Sequence, residues 1–391
     1  MNYKIYFPIA CLAFLQGGLS LLSLYLSEFG VEQNEISMML PFLGVGGLIG
    51  GILGGVLSDK INSKTVLTVM SMSWVFVPFL IVSHSIAVQT LAIFLIGLSL
   101  AGCRSVILYI ITSHQDKDIV NRSLSIRRLI INLCVAVGSG SIGFILSKSN
   151  EYYSYYFFFF GIAVFLSIVS YKVDLGHQGR KLDEGFTSKI DVDVYKSKRL
   201  YFLSAFSIIL SLVCFSFIPT FYTLYIVNEK DFPIEVAGYV FTFSGLLIVF
   251  LQLKISELTK SVDLHYRVIS GVILLSVGTY IVQYVDNYYG LFFSVFVWTL
   301  GEILLFVPAV QFIIEYSVST KGKTISVYQS LFSVSDFLSP ILGGAIIAIG
   351  FSYVWDLSLI LGMTSAIIIL FLKQINRGKN ENFQHQYSKK A

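Results

Sequence analysis

Three ionisable residues lie inside long apolar stretches of the sequence, namely Glu302, Asp336 and Arg104. A charge in the hydrocarbon core of a bilayer is costly, so an ionisable residue in such a place usually serves a function. A carboxyl group there can bind a proton when it faces one side of a membrane and release it when it faces the other. We therefore predict that Glu302 and Asp336 couple proton movement to transport. The alternative is a structural ion pair that only holds helices together.

Polar residues that accompany these three charges are predicted to bind a solute. Gln16, Ser20 and Ser23 follow one another at helical spacing in the first apolar stretch. Trp298 lies four residues before Glu302 and is expected on the same helical face. An arginine that faces the same cavity suggests a solute with a carboxylate. The predicted substrate-binding residues are Arg104, Gln16, Ser20, Trp298, Glu302 and Asp336.

A charged loop follows the second apolar stretch and reads GVLSDKINSK from Gly55 to Lys64. It resembles the signature loop of the major facilitator superfamily, in which a glycine, an aspartate and two or more cations lie between the second and third helices. Asn62 stands where that family has a second glycine, and asparagine is the next residue to tolerate a left-handed turn. The resemblance implies a gate, with Asp59 near residues 324–326 at the start of the eleventh helix. The predicted gating residues are Gly55, Asp59, Lys60, Lys64, Arg127 and Arg128.

Two further segments resemble proton-coupled exporters of this superfamily. One runs from Arg122 to Gly143, and the other reads TLGEI from Thr299 to Ile303. The fifth apolar stretch lacks the Gly-Pro pair that often marks antiporters. The setting of Arg104 also resembles proton-coupled peptide transporters, but the first stretch lacks their carboxylates, which disfavours peptide uptake. The resemblance implies a proton-driven exporter of drugs or metabolites.

The composition indicates a membrane protein built from helices. Of the 391 residues, 55% are hydrophobic and 13% are charged, whereas soluble domains contain about 25% charged residues. We predict an all-α membrane protein with twelve transmembrane helices in two pseudo-symmetric six-helix bundles, the fold of this superfamily. Each predicted helix is an apolar stretch long enough to cross a bilayer: 5–27, 35–57, 66–84, 86–112, 124–146, 152–171, 200–227, 236–253, 268–285, 289–314, 325–348 and 353–372.

The second stretch carries two series of glycines with a spacing of four, which predict a smooth face for close helix packing. They are Gly46, Gly50 and Gly54, and beside them Gly47, Gly51 and Gly55.

One long hydrophilic segment divides the chain. The predicted parts are an N-terminal bundle (1–171), a cytoplasmic linker loop (172–199), a C-terminal bundle (200–372) and a cytoplasmic tail (373–391). With the N-terminus inside, 24 of the 27 lysine and arginine residues fall on the inner side, and only Lys148 and Lys230 fall outside. This asymmetry predicts that both termini face the cytoplasm of a bacterial-type cell membrane.

The sequence lacks metalloprotease and nucleotide-binding motifs, so we predict a transporter and not an enzyme. We expect no cofactor or metal, with the proton motive force as the energy source. The expected partners are a small solute, protons and the lipid bilayer, without nucleic acid, and the expected state is a monomer. The main hypothesis is a proton-coupled antiporter that exports small amphipathic molecules by alternating access. Export of an anionic or zwitterionic metabolite such as a siderophore or metallophore, and uptake by proton symport, stay open as alternatives.

Overall fold

The computed structural model of the protein describes residues 3–81, 83, 85–112, 117–148, 153–172, 198–317 and 321–388. Nearly all of the predicted linker loop therefore lies outside the described residues. Several side chains within these ranges are also outside the description; they belong to residues 3, 59, 78–81, 112, 117–122, 124–125, 146–148, 153–158, 321–326 and 376–388.

The described part of the chain is helical and contains no strand, which confirms the predicted all-α class. Apolar segments form helices in lipid because a helix satisfies its own backbone hydrogen bonds where no water is present. A π-helical turn, Ile218–Tyr222, connects α9 to α10. The helices are α1 (Tyr6–Leu19), α2 (Leu22–Glu28), α3 (Gln33–Met39), α4 (Pro41–Lys60), α5 (Ser63–Ile81), α6 (Ile86–Thr112), α7 (Lys117–Lys148), α8 (Tyr153–Lys172), α9 (Lys198–Phe217), α10 (Thr223–Asn228), α11 (Ile234–Leu258), α12 (Leu264–Ile281), α13 (Tyr288–Tyr316), α14 (Lys321–Ile347) and α15 (Tyr353–Ser388).

The helices are long and apolar enough for a protein that crosses the membrane many times. Within the described residues, nine helical segments meet the length and hydropathy expected of a membrane span. The pair α1 and α2, bent by 47°, meets them together and raises the number to ten. Ser63–Val77 and Phe159–Lys172 are shorter apolar helices. The count of twelve spans stays a prediction.

The helices run between two ends of the molecule. Lys64 Nζ lies 5.3 Å from the ring centroid of Tyr171, so the start of α5 and the end of α8 lie at the same end. We call this the terminal end, because α1 begins there and the turns at residues 61–62 and 259–263 lie there. The opposite end, named the hairpin end, carries the turns at residues 29–32, 229–233 and 285–287.

Helices α1–α8 pack mainly with one another, as do α9–α15, and these two halves meet along two seams. In the first seam α4 lies so close to α14 that a Cβ atom on Gly44 would be 2.5 Å from the backbone nitrogen of Phe337. In the second seam α7 crosses α11, where a Cβ atom on Gly143 would be 2.8 Å from the Cα atom of Gly238. Glycine permits both approaches because it has no side chain.

A cleft lies between the halves and is closed at the hairpin end by α2 and α10. Ser23 Oγ lies 3.4 Å from Thr223 Oγ1, and Asn228 Nδ2 donates a hydrogen bond to Ser27 Oγ at 3.3 Å. The side chains of residues 21–26 are at most 3% exposed, so this part of α2 is fully packed.

Toward the terminal end the seam between α4 and α14 separates. A Cβ atom on Gly51 would meet only Ser105 and Ala101 of α6, and one on Gly55 would meet no described atom within 4 Å. On the facing helix Val327 is 37% exposed. The cleft therefore opens toward the terminal end on this side.

The glycines of α4 serve the predicted packing role on the side that faces α6. A Cβ atom on Gly50 would lie 2.0 Å from the carbonyl oxygen of Leu98.

The expected left-handed turn at Asn62 is wrong. Asn62 Oδ1 accepts a hydrogen bond from the backbone N–H of Lys64 at 2.9 Å and so caps the start of α5. Among the described residues that are not glycine, only Asp231 has a positive φ, of 55°.

Candidate transport cleft

The first half gives the cleft a basic wall. Arg104 of α6, Arg127 of α7 and Gln16 of α1 line a cavity together with apolar side chains of the same three helices. Arg127 Nε is buried and has no hydrogen-bond partner within the described part of the chain. Neighbouring guanidinium groups with no acidic residue in the cavity lining attract an anion. The apolar lining consists of Ile9, Leu12, Ala13, Ile107 and Ile131.

The second half gives the cleft an acidic wall. Asp336 of α14 accepts a hydrogen bond from Ser216 Oγ of α9 at 2.8 Å, and Ser216 Oγ lies 3.1 Å from Ser335 Oγ. Glu302 comes from α13, and both carboxylates are partly buried. A carboxylate has about four acceptor sites, so one hydrogen bond leaves Asp336 able to bind a proton or a ligand.

The two walls face each other with opposite charges. Arg104 interacts electrostatically with Asp336, and Arg128 with Glu302, so each pair has its cation in the first half and its carboxylate in the second. Among the described side chains neither pair comes within the 4.0 Å of an ion pair. The charges are therefore near enough to attract each other without forming a direct ion pair.

Two predicted substrate-binding residues lie outside this arrangement. Trp298 is 1% exposed; its backbone and Cβ atom lie against Gly278 of α12, and its ring centroid is 6.3 Å from that of Tyr222. The missing side chain of Gly278 lets α13 approach α12 closely at this position. Ser20 is 9% exposed where α1 ends. Neither side chain lines the cavity of the basic wall in this conformation, and their roles in substrate binding stay predictions.

The predicted gating residues occupy two places. Lys60 is exposed at the end of α4, and Lys64 lies near it at the terminal end. Arg127 lines the cavity of the basic wall, and Arg128 interacts electrostatically with Glu302 of the second half; their gating role stays a prediction. The side chain of Asp59 and those of residues 324–326 lie outside the described residues, so the predicted contact between them stays a prediction.

The sequence predicted the acidic wall and part of the basic wall. The cleft positions of Arg127 and Arg128 were not predicted, although both lie inside the fifth apolar stretch, where a charge signals function. Ser216 was not predicted either, since a serine in an apolar helix usually bonds to its own backbone. Among the described residues no group of three or more His, Cys, Asp or Glu side chains is arranged to hold a metal ion.

Comparison with known proteins identifies the family. Residues 6–318 match the family model described as Major Facilitator Superfamily. No curated protein matches the chain. Among solved structures, the nucleoside transporter NupG has 14% identity and a TM-score of 0.76, over 96% of this chain and 99% of that one. The peptide transporter POT in complex with sulfate has 13% identity and a TM-score of 0.74, over 95% and 94%.

A D-xylose-proton symporter has 10% identity and a TM-score of 0.71, over 94% of this chain and 96% of that one. At such identities the structures share the fold, and each substrate belongs to its own protein. The family match extends from the start of α1 to the end of α13 and includes both walls of the cleft except for Asp336. The chain therefore belongs to the major facilitator superfamily, as its charged loop predicts, and it is a membrane transporter and not an enzyme.

Proposed function

We propose that this protein is a proton-coupled secondary transporter of a small solute that carries an anionic group. The observation that supports the proposal is the separation of opposite charges across the cleft, with arginines on one wall and carboxylates on the other. An arginine can hold a carboxylate or phosphate through two parallel hydrogen bonds. Binding near the middle of the molecule, between the halves, suits alternating access.

The charge arrangement favours symport for an anionic solute. An anionic solute that binds Arg104 or Arg128 pairs with that arginine in place of the carboxylate it faces, which is Asp336 or Glu302. A carboxyl group that loses its cationic partner in an apolar cleft binds a proton more readily. Solute and proton then bind together, which is the condition for movement in the same direction. We therefore propose proton symport of an anionic or zwitterionic solute, the uptake alternative raised by the sequence.

Export by proton antiport is the second candidate. The resemblance of residues 122–143 and 299–303 to exporters of the superfamily favours it. A cationic solute would compete with protons for Glu302 and Asp336, which is the condition for exchange. The charge of the solute thus decides between the two candidates.

The remaining parts of the proposal concern the membrane. We propose twelve spans in a bacterial-type cell membrane, both termini in the cytoplasm, a monomer, and the proton motive force as the energy source, without a cofactor. With this orientation the cleft opens toward the cytoplasm, and the contact of α2 with α10 closes it toward the outside. Movement of the two halves about their seams would then open the opposite side.

Reconstituted protein tests the coupling. Purified protein in liposomes would be given a pH gradient of either direction and a panel of anionic, zwitterionic and cationic solutes. We expect an anionic or zwitterionic solute to accumulate in the direction of proton flow, with a solute-dependent change of internal pH. Solute movement opposite to the protons would support antiport. If no solute in the panel changes the proton flux, the proposed coupling is wrong.

A further inference from the structure

We propose that the acidic wall continues into an aromatic subsite formed by Phe215, Phe306 and Phe332, and that the solute is an anion with a planar aromatic group. This inference rests on the proposed function and adds the chemical class of the solute. The carboxylate of such a solute would bind the arginines of the first half, and its ring would lie against the three phenylalanines of the second half.

The three rings form one connected cluster. The ring centroids of Phe215 and Phe306 are 4.8 Å apart, with planes at 85°, and those of Phe306 and Phe332 are 5.5 Å apart. Tyr328 adjoins the cluster, with its ring centroid 5.4 Å from that of Phe332, and is 4% exposed. Phe215 with Phe306, and Phe332 with Tyr328, pack edge to face, an arrangement that aromatic rings prefer and in which a further ring can join the cluster.

The position of the cluster places it on the cleft. Phe306 follows Glu302 by one helical turn on α13, and Phe332 precedes Asp336 by one turn on α14, so each ring shares a face with a carboxylate that faces the first half. Phe215 adjoins Ser216, which binds Asp336. All three rings lie on the terminal-end side of the carboxylates, toward the open part of the cleft.

Their exposure differs from that of the aromatic core in the same half. Phe215, Phe306 and Phe332 are partly exposed, whereas Tyr222 and Trp355, which also pack edge to face, are fully buried. Neighbouring side chains cover the whole surface of Tyr222 and Trp355. The three cleft rings keep part of their surface exposed on helical faces that also carry Glu302 and Asp336, where a ligand can cover it.

The opposite wall has the complementary chemistry. Arg104 and Arg127 lie among aliphatic side chains of α1, α6 and α7, and Arg127 Nε has no partner in the described part of the chain. An anionic group can therefore pair with a guanidinium while the carbon skeleton next to it stays in apolar surroundings. The cleft offers two arginines for an anion and an aromatic cluster for a ring, which together select an aromatic acid.

Matched small probes test the inference on the wild-type protein. Thermal unfolding in detergent would be followed with 3-phenylpropionate, 3-cyclohexylpropionate and 3-phenylpropionamide. The second probe replaces the aromatic ring by a saturated ring, and the third removes the charge. We expect 3-phenylpropionate to stabilise the protein at a lower concentration than 3-cyclohexylpropionate, and the amide to give no shift. Equal stabilisation by the phenyl and cyclohexyl acids would overturn the aromatic subsite.

Single substitutions test whether Phe306 and Phe332 form the binding site for 3-phenylpropionate. Phe306→Leu and Phe332→Leu should each weaken the binding of 3-phenylpropionate by roughly 3- to 10-fold, the range of an aromatic pair, and leave 3-cyclohexylpropionate unchanged. The matched control is Phe250→Leu, because Phe250 is 74% exposed on the outer face of α11. An equal effect of all three substitutions would also overturn the subsite.

The proposed function and this inference fail in different ways. Proton-coupled transport of anions without preference for an aromatic ring would remove the subsite and keep the function. Binding of 3-phenylpropionate that depends on Phe306 and Phe332, without proton movement in liposomes, would keep the subsite and remove the coupling.

Discussion

Two groups of charged residues in the second half differ in how their charges are balanced. One group, the terminal cluster, consists of Asp263, His265, Tyr266, Tyr316 and Lys373, where α12, α13 and α15 meet at the terminal end. Lys373 Nζ lies 3.1 Å from Asp263 Oδ1 and 3.3 Å from the ring centroid of Tyr266. His265 Nε2 lies 2.8 Å from the Tyr316 hydroxyl. Every member has a partner within its own half.

The acidic wall of the cleft is built in the opposite way. Glu302 and Asp336 face cations that belong to the other half, beyond ion-pair distance within the described structure. Charges that are balanced inside one half hold its helices together whatever the other half does. Charges that are balanced only across the cleft respond to any change in its width or contents, as a transport site requires.

The terminal cluster also has a defined response to pH. Partial burial raises the pKa of Asp263, but the hydrogen bond and charge of Lys373 and the nearby His265 lower it more, so the pKa lies below the ordinary value of 3.8. A lowered pKa means that the ionised carboxylate stabilises the fold. This contribution is present above the pKa of the unfolded state and is lost as the pH falls through the pKa of the folded state.

The largest expected effect comes from neutralising the acidic wall. Glu302→Gln and Asp336→Asn keep the shape of the side chain and remove the exchangeable proton, so pH-driven solute accumulation should fall to the level of protein-free liposomes. Binding of the solute or its downhill exchange should survive in part. The measurement is uptake of labelled solute under a pH gradient.

Glu302→Gln and Asp336→Asn can also disprove the contrast between the acidic wall and the terminal cluster. If both concentrate the solute as well as the wild type, the proton site lies elsewhere. If both fail to fold, the carboxylates serve as structural charges like those of the terminal cluster, and the comparison loses its basis.

A smaller effect is expected from the basic wall. Arg104→Lys keeps the charge and loses the planar fork, so the affinity for an anionic solute should fall roughly tenfold, as for a lost charged hydrogen bond. A lipophilic cation should be less affected. Competition with a labelled anionic solute measures the change, and Lys260→Arg at the exposed terminal end is the control. Equal loss for anions and cations would contradict a role in anion binding.

Tyr316→Phe tests the terminal cluster and should affect stability alone. It removes the partner of the buried His265 nitrogen, which is expected to lower the free energy of unfolding by about 1–3 kcal/mol. Transport per folded molecule should match the wild type. Thermal unfolding measures the change, with Tyr280→Phe as control because its hydroxyl bonds to Tyr284 in an exposed pair. Loss of coupling with unchanged stability would place this cluster in the transport cycle.

The smallest effect concerns the exposed part of that cluster. Asp263→Asn should reduce stability near neutral pH by less than about 1 kcal/mol, since exposed ion pairs contribute little. The difference from the wild type should shrink as the pH falls below about 4, where Asp263 of the unfolded chain takes up a proton, and should vanish only below the lowered pKa of Asp263 in the folded protein. Denaturation at several pH values measures it, and Lys373→Met should reproduce the loss at neutral pH. A difference in stability that grows as the pH falls would show that the ionised Asp263 carboxylate does not stabilise the fold.

Much of the cleft could be predicted from the sequence because charges are conspicuous in apolar segments. Glu302, Asp336 and Arg104 stand out for this reason, and the structure brings them onto facing walls. Arg127 and Arg128 were predicted to belong to the gate that the family resemblance implies, close to Lys60 and Lys64. In the structure Arg127 lies beside side chains of α1 and α6, and Arg128 interacts electrostatically with Glu302 of α13, so these neighbours come from helices that are distant in the sequence.

Other details depended on contacts that no local pattern contains. The hydrogen bond from Ser216 to Asp336 joins residues that are 120 positions apart. The close approach of α13 to α12 at Trp298 depends on Gly278, which has no side chain. The turn at Asn62 avoids a left-handed conformation because the side chain caps α5.

The sequence by itself determined that the chain forms apolar helices, because an apolar segment in lipid must satisfy its backbone internally. It also determined where the charges lie along those helices and the family to which the chain belongs. Only the tertiary structure decided which faces form the cleft. The facing surfaces of the two halves depend on the close approach of helices at glycines such as Gly44 and Gly143. In the resulting arrangement the arginines lie on one side of the cleft and the carboxylates on the other. Helical spacing defines a face, whereas the partner of that face is set by packing between distant segments.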